Sequence, residues 1–302
     1  MSRNHFKCIY LLLVILILGG CSLLNQSAQN NEKDNTNADD VYVPVQEYTG
    51  EEYALPNGKK TGKIANENRD VIERAIKEFF LEEYKTEVKV HNIVGNIDGA
   101  TVFVESIGEP HFYTYAIIPI DKKSESILTD AIWTQEGAVE DSIITGLYGF
   151  VEKEKFLNLT NFLESFSQEY GLTGLNKEAL KAGERNFSNE YYIVGIRDND
   201  PFQNVIELYF ENPNRTREEW RSILNVDAIN PSAIRIAIEL YIANQEGEPN
   251  QEVFEKLLRE IEDLDNIPKG LYAISMHDNF IHREKAIGHK ENTLSNDSLL
   301  KE

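Results

Sequence analysis

A few residues of this 302-residue chain have the type and spacing to do chemistry. Glu105, Glu109 and His111 fall close together. A carboxylate pair beside an imidazole can work as general acid and base in a hydrolase, or ligate zinc. His277, Asp278 and His282 form a second group. Four residues separate the two histidines, a spacing read as helical that would suit a metal, but these follow an expected strand. The plainer reading of both groups is solvated carboxylates and histidines at strand ends. His91 reads as a surface or partly packed residue opposite Val88 and Val90. Cys21, directly behind Leu18-Gly19-Gly20, is a thiol placed for covalent attachment. Gly58-Lys59-Lys60-Thr61-Gly62 lacks the preceding strand and glycine spacing of a phosphate loop, and Asp198-Asn199-Asp200 lacks the glycine and distal glutamate of a calcium loop. No catalytic constellation, cofactor or metal site is specified. The 14 tyrosines and 14 phenylalanines are expected to cover sheets.

The elements that must position these groups are readable from apolar periodicity. Val71, Ile72, Ala75, Ile76, Phe79 and Phe80 predict a helix over 66–84. Alternation predicts strands over 87–94, 100–106 and 111–120, with turns too short for anything but an antiparallel meander, and a further strand near 127–133. Two amphipathic helices follow, the second stopped by Gly171. The polar, glycine-rich stretch 171–190 is the expected connection between a first lobe, 46–170, and a second, 191–288. In the second half, 191–196 reads as a strand. Asp200-Pro201 and Thr216-Arg217-Glu218-Glu219 read as helix starts, with Asp200 as an N-cap and the latter as a capping box. Residues 233–243 place Ile234, Ile236, Ile238, Leu240 and Ile242 at period 2, a strand, although Arg235 and Glu239 also suit a helix surface. A helix about 253–264 and a strand over 271–276 complete the pattern, and 289–302 reads as a polar tail. Meanders mixed with helices, without regular β–α–β alternation, give the α+β class.

The N-terminus is organised differently. Arg3 and Lys7 precede an apolar run, 9–18, and two glycines. This is the layout of a secretory signal over 1–20. With Cys21 behind it, the stretch resembles a bacterial lipobox, which implies cleavage between Gly20 and Cys21 and a diacylglyceryl group on the Cys21 sulfur. The segment 21–45 is then a lipidated cysteine and a disordered tether, since 25–40 holds only alanine as apolar content. About 20 residues reach roughly 70 Å at most. Cleavage removes Cys8 and takes the net charge of -21 to -23. That charge argues against a nucleic-acid partner and favours cationic over anionic ones.

The segments YVPVQEYTGEEYALPNGK, VHNIVGNIDGATVFVESIGEPHFYTYAIIPID and IPKGLYAISMHDN resemble a family of uncharacterised lipoproteins of Gram-positive bacteria, a domain of unknown function. The resemblance implies a cell with one membrane and an outward-facing domain, and assigns no catalytic residue. The expectation is an extracytoplasmic protein held on the cell membrane by its diacylglyceryl anchor, acting as a non-enzymatic binding module for a protein or cell-wall partner. A surface hydrolase using Glu105 and Glu109 is the alternative.

Overall fold

The computed structural model describes residues 41–183 and 185–302. The signal, Cys21 and the run 25–40 lie outside them. A short strand, β1 (Tyr42–Pro44), comes first, and Val45 behind it is fully buried, so the end of the expected tether belongs to the fold. Where one helix was predicted there are two, α1 (Lys59–Glu67) and α2 (Arg69–Tyr84). They divide at Asn68, whose side-chain amide donates to the Ile64 carbonyl at 2.9 Å. Sequence periodicity missed α1 because its apolar content is low. Gly58 and Gly62, at its start, lie against Gly95. A Cβ on Gly95 would stand 2.1 Å from the Gly58 oxygen, so these glycines serve backbone packing.

The predicted meander is present: β2 (Val88–Gly95), β3 (Gly99–Ser106), β4 (Tyr113–Asp121) and β5 (Ser126–Ile127), in that order and antiparallel. Only Ser126–Ile127 of the stretch expected near 127–133 is strand, with Trp133 bridging separately to Ile117. Val88, Val90, Val102, Val104, Ala116 and Ile118 face the main core, which α2 closes with Ile72, Ile76 and Phe80. Between Val90 and Ile93 the register with β3 slips by a β-bulge. The next helices are α3 (Ala138–Val151), buried along most of its length, and α4 (Lys153–Tyr170), ended by Gly171 in the left-handed region at φ 65°.

The stretch 171–190 carries structure of its own. It holds β6 (Leu172–Thr173) and β7 (Phe187–Ser188), and it buries Leu175, Ala179 and Leu180 in a second core. The described residues cluster as one compact unit. Beyond β7 come β8 (Tyr192–Ile196), α5 (Gln203–Glu211) and α6 (Arg217–Leu224). Thr216 and Glu219 make the predicted capping box. Asp200 does not cap α5: a short turn intervenes, and the Asp200 carboxylate accepts from Gln203 Nε2 at 3.2 Å. The stretch 233–243 is a strand, β9 (Ile234–Ile242). It is followed by α7 (Gln251–Asp263), β10 (Gly270–His277), β11 (Phe280–His282) and β12 (Leu294–Lys301).

These strands form a sheet in the order β12-β10-β9-β8-β7, with β6 pairing the end of β9. Two features depart from the sequence expectation. β9 and β10 run parallel, joined by the α7 crossover. The polar tail is strand β12, antiparallel to β10. Its sequence, LSNDSLLK, lies at the sheet edge half in solvent, so it shows no apolar pattern to read. The fold remains α+β. The second core joins the outer faces of both sheets through Tyr113 and Tyr241, with Val45, Tyr48 and Ile281 between them. β1 pairs with β11 as a two-stranded ribbon, and Asn279 fixes the arm beside it by donating to Gln46 Oε1 at 2.9 Å and the Ile242 carbonyl at 2.7 Å.

Candidate functional site

The hairpin between β3 and β4 brings Glu105 and His111 together, as their spacing allowed. His111 Nε2 lies 2.9 Å from Glu105 Oε1, and Ser106 holds the turn by donating to the Pro110 carbonyl and accepting from the Phe112 N–H. His91 joins them from the β2 bulge, its Nε2 2.7 Å from Glu105 Oε2. A bulge re-aims side chains in this way. The Tyr113 hydroxyl donates to Glu105 Oε1 at 3.4 Å. Burial raises the Glu105 carboxyl, but hydrogen bonds from His111 and His91 outweigh it and hold it below the usual carboxylate range. Burial lowers His91 against the pull of Glu105, and burial with the Glu105 charge pushes Tyr113 up to about 12. The group is thus an ionised carboxylate with both oxygens engaged.

Glu109 does not share this group. Its carboxylate stands 3.9 Å from Lys153 Nζ, both groups well exposed. The two carboxylates of the expected hydrolase pair therefore have separate partners. His277 and His282 do not converge either. His282 packs edge-on against Tyr42 in the ribbon, with ring centres 5.4 Å apart, while His277 lies against Tyr241 at 4.9 Å. Among the described residues no group of three or more His, Cys, Asp or Glu could hold a metal ion.

His277 instead lines a cavity that sequence reasoning did not find. The outer face of β9 carries Arg235, Ala237, Glu239 and Tyr241. The parallel register sets Ser275 of β10 beside Glu239 and His277 beside Tyr241. A trough of about 290 Å³ lies over this face, from Arg235 near the amino end of β9 to Glu239 and His277, walled by Gly288 and His289. The wall approaches closely: a Cβ on Gly288 would meet the Tyr241 hydroxyl at 2.6 Å. His277 is 2% exposed, and its Nε2 has no hydrogen-bond partner among the described residues. Its Nδ1 is 3.0 Å from Thr293 Oγ1, which already accepts the Lys290 N–H at 2.9 Å. The Thr293 hydroxyl keeps a second lone pair as well as its proton, so it can donate to Nδ1 or accept from it. Burial keeps the ring neutral by lowering its pKa, against the charge of Glu239. A buried polar atom left without a partner costs about 1–3 kcal/mol.

On the other side of His289 a shallower groove of about 880 Å³ runs between Tyr42, Phe280 and Asn292. Lys290 crosses it, 4.8 Å from the Tyr42 ring centre and 5.5 Å from that of Phe280, and ion-pairs with Asp278. The loop 286–292 thus separates an aromatic groove from a polar trough. Period 2 in β9 was the signal that Arg235 and Glu239 share a face. The parallel neighbour and the loop wall had no signal.

Among the described residues no helix is long and apolar enough to cross a membrane. None of the curated proteins matches the chain. A crystal structure of a DUF1672 family protein from Staphylococcus aureus subsp. aureus Mu50, a Gram-positive organism, superposes with a TM-score of 0.66. It is 20% identical in sequence and covers 87% of this chain and 98% of its own, a likeness of fold. A family model, described as a protein of unknown function, matches residues 35–301, and the chain belongs to that family, DUF1672.

Proposed function

We propose that this chain is a lipoprotein of the outer face of the cytoplasmic membrane that acts as a tethered binding module. One observation carries the anchor: Leu18-Gly19-Gly20-Cys21 directly behind the apolar run 9–18. The family match supports it by beginning at residue 35, beyond Cys21, so the attachment segment and the family domain are separate parts of the sequence. Two acyl chains on one cysteine give stable anchoring where one gives marginal binding. The binding half of the reading is supported by the trough and groove flanking 286–292, a concave surface with convergent polar groups and aromatic walls. The net charge of -21 favours cationic groups on the partner and disfavours nucleic acid. The hydrolase alternative draws no support from Glu105 and Glu109, because each is held by other groups.

Radiolabelled fatty acid should enter the full chain expressed in a Gram-positive host and be absent from Cys21→Ala. Label retained in Cys21→Ala overturns the anchor.

A further inference from the structure

We infer that the trough over β9 and β10 binds a short peptide of about two residues, with its free amino end at Glu239 and its carboxylate at Arg235. This deepens the binding half of the proposed function and rests on it, but not on lipidation of Cys21.

The inner end of the trough presents a carboxylate and an unpartnered imidazole nitrogen side by side. Glu239 offers a carboxylate on the same face of β9 as Tyr241. His277, one strand over and one pair along, offers a buried Nε2 that has no hydrogen-bond partner among the described residues. The carboxylate matches an α-ammonium, and the ring nitrogen can accept a second hydrogen bond from that ammonium or donate to the carbonyl behind it. Ser275, directly beside Glu239 in register, adds a hydroxyl for the ammonium. Both aromatic groups at this end, Tyr241 and His277, are buried, so the end is closed.

The outer end supplies the opposite charge. Arg235 lies on the same face of β9, four residues before Glu239, and lines the same cavity. Four residues of strand span about 13 Å. An extended dipeptide covers about 7 Å, and a charged hydrogen bond at each end adds about 2.8 Å apiece. The sum fits the span without strain. Arg235 is available for this: its contact with Asp297 is 3.6 Å long and both partners are about half-exposed or more, a pair that holds weakly. Between the charged ends the floor is Ala237 and Ala273, which leaves room for small side chains.

The test is calorimetric titration of the full chain, kept in detergent, with dialanine, N-acetyl-dialanine and dialanine amide. Saturable binding of dialanine is expected. N-acetylation should weaken it at least about tenfold, and amidation by less, because Arg235 is the more exposed end. Glu239→Gln should reproduce the effect of N-acetylation, and an unchanged melting curve will show that the variant folds. Absence of saturable dialanine binding in the millimolar range overturns the inference, as does equal binding of the N-acetyl form. Failure of this titration with fatty-acid labelling intact removes the peptide and keeps the anchor; the reverse pattern removes the anchor and keeps the peptide.

Discussion

The outer faces of the two sheets hold the same kinds of side chain in opposite states. On the first, Glu105 sits between His91 and His111 at 2.7 and 2.9 Å, and each imidazole nitrogen that reaches it is satisfied. On the second, Glu239 and His277 lie one strand apart without bonding to each other, and the buried His277 Nε2 has no hydrogen-bond partner among the described residues. The first arrangement is closed and stabilises the fold. The second is open and leaves hydrogen-bonding capacity facing a cavity. Residue type alone does not distinguish a structural cluster from a binding site. What distinguishes them is whether the groups have already found each other.

The largest effect should come from breaking the closed cluster. Glu105→Ala leaves His91, His111 and Tyr113 without their common acceptor in a partly buried site. It should cost about 3 kcal/mol, given that hydrogen bonds to charged groups contribute about 1.5–3 kcal/mol each and that losses within one network do not add fully. Urea unfolding monitored by circular dichroism measures it. A loss below about 1 kcal/mol would show that the cluster is a surface accident and erase the contrast with the second sheet.

Acidification addresses both faces at once, with a smaller expected effect. His91 and His277 both have native pKa values lowered by burial, so the unfolded chain takes up protons first as pH falls through the ordinary histidine value of 6.5. Stability should therefore be constant above that pH and fall below it. Glu105 adds a second loss below the ordinary glutamate value of 4.5, since its carboxyl is held low in the native state and must be protonated there against its hydrogen bonds. Unfolding curves across this range check the order. Stability that rises between pH 7 and 5 would mean that the histidines gain more from their neighbours' charges than burial costs them.

The contrast was half legible in sequence, for identifiable reasons. Glu105 and His111 could be paired in advance because a short hairpin forces strand residues either side of it into contact. His91 was on the correct face by alternation, opposite Val88 and Val90, but its approach to Glu105 depends on the bulge between Val90 and Ile93, and a bulge leaves no trace in apolar spacing. The trough was illegible for another reason. Arg235 and Glu239 meet Ser275 and His277 only because β9 and β10 are parallel neighbours, and the wall at Gly288 and His289 comes from a loop between β11 and β12. Strand β12 itself read as a tail because an edge strand needs little apolar surface. Periodicity reports which face a residue takes, not which strand lies beside it.

Glu109 gives the smallest effect and the sharpest control on the first face. It is four residues from Glu105 and was its expected partner, yet its carboxylate stands 3.9 Å from Lys153 with side-chain exposures of 42% and 66%. A pair at that distance and exposure gains little Coulomb energy in water and loses side-chain freedom to keep it. Glu109→Ala should change stability by no more than about 0.5 kcal/mol, and the change should shrink further in high salt. The same unfolding assay used for Glu105→Ala measures both. If Glu109→Ala matched Glu105→Ala in cost, the two carboxylates would belong to one network after all, and the division between a closed cluster and a solvated neighbour would fail at its nearest point.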